Sequence, residues 1–167
     1  MQLTNRSHFK TVLLIGLLLT GLICLSCRKY GAFSSTGEDP NVKTMGSIEV
    51  TAKLTEIPDG AIFKRELYNY TTILKYEVLR VRRGSVDANT IYVGHYNPFK
   101  PRSEAADKFV KDIGGNLESF RAGQIHRMAL EVPIDDYFMG GIINKYFGKS
   151  NDAIYWAVWT NGVRKYP

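Results

Sequence analysis

The sequence predicts a mainly β-sheet domain, a small five-stranded barrel with one short helix, behind an N-terminal segment that directs export. Three observations support this prediction. Segments with alternating apolar and polar residues recur along the chain after residue 46. One stretch with a four-residue apolar spacing lies between the third and the fourth of these segments. The first 26 residues combine a basic start with a long uncharged apolar run, which is typical of a signal peptide.

The signal peptide is predicted to end at Ser26. Arg6 and Lys10 form its basic start, and the apolar run TVLLIGLLLTGLICL follows over residues 11–25. This run is shorter than the roughly 20 apolar residues that span a bilayer. The small side chain of Ser26 is what a processing site requires in front of the cleaved bond. We therefore expect cleavage before Cys27, with an uncleaved membrane anchor as the alternative.

Cys27 is predicted to carry a lipid. The chain has only two cysteines, Cys24 and Cys27, so cleavage leaves a single thiol at the first mature position. Residues 25–27, Leu-Ser-Cys, resemble the lipobox of bacterial lipoproteins, although Cys24 occupies a position that is aliphatic in the family. The resemblance implies an acyl anchor of the palmitate type on Cys27, which holds a protein stably at a membrane. Ordinary secretion and lipidation of Cys24 remain alternatives.

The resemblance to lipoproteins also implies an address in the cell envelope. Arg28 follows the modified cysteine, where an Asp would indicate retention at the inner membrane. We therefore expect the outer membrane if the host has one. The formal net charge of the chain is +6, with acidic and basic residues well mixed. Such a distribution argues against nucleic-acid binding, which normally requires a concentrated basic surface.

Residues 27–46 are predicted to form the lipidated N-terminus and a flexible tether. They are rich in Gly, Ser, Thr, Asp and Pro and have no apolar periodicity. The domain itself is predicted over residues 47–167. Its first three strands are SIEVTAKLTEI (47–57), TTILKYEVLRV (71–81) and TIYVGHY (90–96). In the second strand the apolar alternation changes phase after Val78, which predicts a β-bulge.

A short helix is predicted over residues 103–115, SEAADKFVKDIGG. Ser103 is a suitable N-cap, and Ala105, Phe109 and Ile113 would form the buried stripe. Gly114 would end the helix. Two further strands follow, IHRMALEV (125–132) and AIYWAVWT (153–160).

Three strands, a helix and two strands are the arrangement of an OB-fold barrel. The segments VLRVRRG (78–84), TIYVG (90–94) and FRAGQIHRMALEV (120–132) resemble, in their rhythm, the OB domains of the netrin and metalloprotease-inhibitor (TIMP-like) group. This resemblance covers residues 47–161. It does not imply metalloprotease inhibition, because Cys27 matches the inhibitory cysteine of that group only in being terminal.

Two histidines are the candidates for chemistry inside the domain. His95 and His126 are each in phase with the apolar residues of a strand, and Asp135 or Asp136 would be needed as a third ligand of a metal. The alternative is that both are partly buried strand residues. The sequence has no HExxH or CxxC spacing, no GxSxG elbow and no phosphate-binding loop. It therefore predicts no catalytic residue, no metal and no cofactor.

The candidate binding residues lie in three loops. The segment between the last two strands, residues 133–156, is rich in aromatic residues beside an acidic pair, and with the first loop it borders the usual ligand face of an OB barrel. These residues would either plug the barrel or recognise a partner. The complete set is Tyr68, Tyr70, Lys100, Arg102, Asp135, Asp136, Tyr137, Phe138 and Tyr146.

The sequence thus predicts a membrane-tethered, extracytoplasmic lipoprotein that acts as a binding or assembly module through its loops. Its expected partners are the membrane, through the lipid anchor, and a protein or glycan of the envelope. Two alternatives stay open. One is an enzyme or enzyme accessory acting on envelope polysaccharide with His95 and His126. The other is an inhibitor of a secreted enzyme.

Overall fold

The computed structural model describes residues 39–63 and 68–164. The predicted signal peptide, Cys27 and most of the predicted tether lie outside these ranges. Two 3-10 turns, Arg102–Glu104 and Ile134–Asp136, accompany the regular elements. The regular elements are α1 (Pro40–Thr44), β1 (Ile48–Glu56), β2 (Thr71–Arg83), β3 (Thr90–Tyr96), β4 (Ile125–Glu131), β5 (Ile142–Ile143) and β6 (Ile154–Val163).

Five of the strands close into a barrel. β1 pairs antiparallel with β2 on one side and with β4 on the other. β2 and β3 form an antiparallel pair, and β6 joins β3 in parallel and β4 in antiparallel orientation. The short strand β5 runs parallel to the start of β2, where Thr71 faces Ile142. The predicted fold class, a mainly β, five-stranded OB-like barrel, is confirmed.

The curvature of the barrel comes from irregular pairing between β1 and β2. The register shifts at three places along this pair, one of them where Thr51 faces Arg80 and Ala52 faces Val78. Such a shift confirms the bulge that the change of phase after Val78 predicts. Extra residues increase the local twist, which lets the 13-residue strand β2 pair with both of its neighbours.

The barrel has an apolar interior and a second apolar cluster on the outside of β3 and β6. Gly94 makes room for the outer cluster, because a Cβ atom there would lie 2.4 Å from Cδ1 of Ile134. The interior cluster includes Val50, Leu54, Leu74, Tyr76, Ile91, Val93, Met128 and Leu130. The outer cluster contains Ile73, Tyr96, Ala105, Ile113, Ile134, Tyr146 and Trp156.

The helix predicted over residues 103–115 is only the 3-10 turn Arg102–Glu104. Asp107 explains the difference, because its Oδ1 accepts hydrogen bonds from the backbone N–H groups of Phe109 (2.8 Å) and Val110 (3.0 Å). A side chain that binds nearby backbone donors offers the chain an alternative to helical hydrogen bonds. Ile113 is buried as predicted, but Phe109 is 73% exposed, so its predicted place in the buried stripe is wrong.

The last residues of the predicted tether contact the barrel. Asp39 caps α1 by accepting a hydrogen bond from the Asn41 N–H, and its other oxygen accepts one from Trp159 Nε1 at 2.7 Å. Val42 is fully buried. The Arg83 guanidinium donates to the carbonyl group of Lys43 in the last turn of this helix and to those of Met45 and Gly46 after it. Residues 39–46 therefore form part of the folded domain.

None of the helices in residues 39–63 and 68–164 is long and apolar enough to cross a membrane.

Candidate functional site

The two histidines meet inside the barrel at one tyrosine. The Tyr76 hydroxyl lies 3.0 Å from His95 Nε2 and 3.1 Å from His126 Nδ1, and all three side chains are fully buried. They converge because Tyr76, His95 and His126 occupy inward positions on β2, β3 and β4. His95 and His126 are thus members of a buried hydrogen-bonded group.

The direction of these hydrogen bonds follows from the surroundings of His126. Its Nε2 lies 3.3 Å from Oε1 of Gln124, which can only accept. A neutral His126 therefore carries its proton on Nε2 and accepts the Tyr76 hydroxyl proton at Nδ1. Tyr76 in turn accepts from His95 Nε2. We assign this arrangement from the acceptor at Gln124.

Burial keeps the group uncharged. It lowers the pKa of His126 to about 3, and it lowers the pKa of His95 well below 6.5, with further lowering from the positive charge of Arg102. Burial also raises the pKa of Tyr76 well above 10. The Phe120 ring packs on both histidines, with centroid distances of 4.5 and 5.7 Å. The group is therefore enclosed and cannot touch a substrate in this conformation.

Within residues 39–63 and 68–164, no three His, Cys, Asp or Glu side chains converge to hold a metal ion. Asp135 and Asp136, the proposed third ligands for the histidines, are exposed residues of the second 3-10 turn.

A groove on the outside of the domain is a second candidate site. Its volume is about 390 Å³. Phe109 and Tyr137 are its most exposed aromatic residues, at 73% and 50%. The groove is lined by Met45, Gly46, Phe109, Val110, Lys111, Asp112, Ile113, Glu131, Tyr137, Trp156 and Val158.

Phe109 lies in a turn that several hydrogen bonds hold in place. Besides binding the N–H groups of Phe109 and Val110, the Asp107 carboxylate accepts hydrogen bonds from Asn69 Nδ2 (2.6 Å) and from the Tyr96 hydroxyl (2.9 Å). Burial raises the pKa of Asp107, but these backbone and Tyr96 hydrogen bonds outweigh it and lower the pKa below its usual value. The turn is therefore fixed to the first loop and to the end of β3.

Tyr137 is held by its hydroxyl, which donates to Oε2 of Glu131 at 3.3 Å. Desolvation and then the negative charges of Glu131 and Asp136 raise the pKa of Tyr137 above 10. Beneath it, Phe138 stacks on the buried Trp156 with ring centroids 5.1 Å apart. The groove therefore has two exposed aromatic residues whose positions are held by hydrogen bonds. Negatively charged carboxylates lie beside one of them, Tyr137.

The first loop forms a separate aromatic stack. Phe63, Tyr70 and Phe99 stack in order, with centroid distances of 4.4 and 5.7 Å, and Lys100 Nζ lies 5.7 Å from the centroid of Phe99. Tyr70 is buried, whereas Tyr68 is 63% exposed. The structure thus brings Tyr70 and Lys100 to the same aromatic stack, and neither residue lines the groove.

Two other candidate residues are buried. Arg102 is 3% exposed, and its guanidinium donates to the carbonyl groups of Tyr96, Asn97 and Lys100. Arg102 therefore stabilises the segment after β3, and its charge is not available to a ligand at the surface. Tyr146 is 9% exposed and packs against Tyr92, with ring centroids 4.8 Å apart. Of the nine predicted binding residues, only Tyr137 lines the groove.

Sequence reasoning missed Phe109 and Tyr76 as site residues. The short spacing between Asp107 and Phe109 is a signal for a side-chain-stabilised turn, which would have placed Phe109 outside a helix. Tyr76 shares the inward face of β2 with Leu74 and Val78, so its hydroxyl needs a buried partner.

By its fold and its groove, the protein is an OB-like barrel domain that has an aromatic groove on its surface. No known protein family, curated protein or solved structure matches the chain.

Proposed function

We propose that the protein is a lipid-anchored, extracytoplasmic binding module that recognises a partner in the cell envelope through its aromatic groove. Cys27 would carry the anchor, and the chain between Cys27 and Asp39 would connect it to the barrel. Twelve residues span at most about 40 Å when extended, so the groove would work close to the membrane surface.

The observation that carries this proposal is the pair of exposed aromatic residues on fixed backbone, Phe109 and Tyr137. Aromatic residues and methionine are enriched at the centres of protein interfaces. Met139, in the same loop as Tyr137, is 96% exposed. This composition favours a polypeptide partner over a glycan, because methionine offers no hydrogen bond suited to a sugar.

The enclosed histidine group favours binding over catalysis. His95 and His126 were the candidates of the enzyme alternative, and both are fully buried behind Phe120. An enzyme would need at least one of them within hydrogen-bond reach of a substrate.

Replacing Phe109 or Tyr137 by Ala is expected to reduce partner retention about tenfold or more, because truncating a central aromatic residue typically costs about 2 kcal/mol of binding free energy. The full chain would be extracted from host membranes, coupled to resin and exposed to envelope extract. Its intact mass should correspond to a chain that begins at Cys27 and carries acyl groups.

Phe147→Ala is the matched control, since Phe147 is equally aromatic and exposed but does not line the groove. It should retain the same components as the unchanged protein. If all three variants bind alike, the groove is not the recognition surface. If neither the unchanged protein nor any variant retains a component of the envelope extract, the enzyme or enzyme-accessory alternative becomes the better hypothesis.

A further inference from the structure

We propose that the groove binds a cationic side chain, arginine or lysine, of a partner polypeptide, with an aliphatic neighbour of that residue on the groove floor. This inference rests on the proposed function and adds the chemistry of the bound segment. Three features of the groove support it: aromatic faces, unpaired negative charge and an apolar floor.

The aromatic residues provide faces that attract cations. The Phe109 ring already has an ammonium group over it, because Lys108 Nζ lies 4.8 Å from its centroid. The Tyr137 ring is half exposed and its hydroxyl is fixed on Glu131. The electron-rich face of an aromatic ring attracts an ammonium or guanidinium group within about 6 Å, with arginine the more frequent partner.

Carboxylates outnumber cations around these rings. Asp112, Glu131 and Asp136 lie at the groove or beside Tyr137, against two cations, Lys111 in the lining and Lys108 over the Phe109 ring. Considering residues 39–63 and 68–164 alone, neither Lys111 nor Asp112 takes part in an ion pair. The chain as a whole has a net charge of +6, so this excess of negative charge is local. An uncompensated carboxylate beside an aromatic face is best complemented by a cation that donates hydrogen bonds.

The apolar lining of the groove would contact the rest of the bound segment. Ile113 and Trp156 are at least nine-tenths buried and line the groove together with Met45 and Val158. The methylene stem of arginine or lysine can cover such a surface while its charged end stays at the carboxylates. A neighbouring aliphatic side chain would fill what remains of the roughly 390 Å³.

The test uses a phage-displayed library of random dodecapeptides, selected on the full chain in detergent micelles. Selected peptides are expected to contain arginine or lysine next to an aliphatic residue. Each selected peptide is then synthesised with the cation and with its neutral counterpart, citrulline or glutamine. The neutral version should bind about tenfold more weakly, and the same loss should appear for the cationic peptide on Asp112→Asn. Rising salt concentration should weaken only the cationic peptide.

Glu118→Gln is the control variant, since Glu118 is exposed and does not line the groove. It should bind the cationic peptide as the unchanged protein does. Peptides that lose affinity on Tyr137→Ala but bind equally well with citrulline would overturn the cationic inference and leave the proposed function standing. If no selected peptide depends on Tyr137, both the inference and the proposed function fail. The thermal unfolding temperature of each variant establishes that a loss of binding is not a loss of fold.

Discussion

Acidification from pH 6.5 towards pH 4 is expected to destabilise the barrel steeply, because the buried histidines stay neutral in the folded state and become protonated in the unfolded chain. Burial lowers the pKa of His126 to about 3 and that of His95 well below 6.5. Above pH 6.5 both histidines are neutral in the folded and in the unfolded chain, so their contribution to stability is complete. Below pH 6.5 only the unfolded chain takes up the protons, and stability falls until the folded pKa is reached.

The size of the effect follows from proton linkage. Each histidine contributes a slope of up to about 1.4 kcal/mol per pH unit. His126 alone should therefore lower the free energy of unfolding by about 2.5 kcal/mol between pH 6 and pH 4. Between pH 6 and pH 5, where the carboxylates are still ionised in both states, a slope above about 1.4 kcal/mol per pH unit would show that His95 contributes as well.

Urea unfolding of a chain that begins at Ser34 measures this slope, because the described residues 39–63 and 68–164 belong to one compact unit and residues 34–167 contain only these two histidines. The fluorescence of Trp156 and Trp159, the only two tryptophans, reports on β6. His126→Gln should lose the share of His126 in the slope. Stability that stays constant between pH 6.5 and pH 4.5 would contradict the assignment of both histidines as neutral and enclosed.

Glu49→Gln is expected to lower the free energy of unfolding by about 4 kcal/mol, since it leaves a buried guanidinium without its carboxylate. Glu49 Oε1 accepts a hydrogen bond from Nε of Arg127 (2.7 Å) and forms an ion pair with its Nη2 at 2.5 Å. Both side chains are less than one-tenth exposed. Removing one partner of a buried ion pair is far more costly than the net stabilisation by the pair, because the remaining charge stays desolvated.

Glu56→Gln provides the comparison at an exposed site. Glu56 lies 3.8 Å from Lys75, and both side chains are more than one-third exposed. Loss of this pair should change stability by about 0.5 kcal/mol or less. The double variant Glu49→Leu, Arg127→Met should recover most of the stability that Glu49→Gln loses. A loss below about 1 kcal/mol in Glu49→Gln would show that Arg127 is adequately solvated or paired without Glu49.

The strands of the barrel were predictable from the sequence. Alternation in β1 predicts that Ile48, Val50 and Ala52 face inward, and the structure confirms that they are buried. The opposite face is exposed only from Lys53 onward, because Glu49 and Thr51 are buried as well. The bulge in β2 was predictable for the same reason, because a change of phase in the apolar residues is a local property. A chain with this number of strands, the first of which pair antiparallel, has only a few compact arrangements open to it.

The histidine group was only partly predictable. The inward phase of His95 and His126 followed from their neighbours, but their meeting at Tyr76 did not. Residues 76, 95 and 126 lie on three different strands. Only the closure of the barrel decides which inward-facing residues lie at the same height along the barrel axis. That closure also decides their chemistry, because complete burial keeps both rings neutral.

The groove shows most clearly what the sequence determined and what only the tertiary structure decided. The sequence determined a β domain with aromatic residues in its loops, since strand periodicity and loop composition are local. It predicted Phe109 inside a helix, because Ala105, Phe109 and Ile113 have helical spacing. In the fold, Asn69 and Tyr96 position the Asp107 carboxylate, which then binds the backbone N–H groups of the next turn. These long-range partners stabilise an open turn over a helix, and Phe109 is exposed beside Tyr137 as a result.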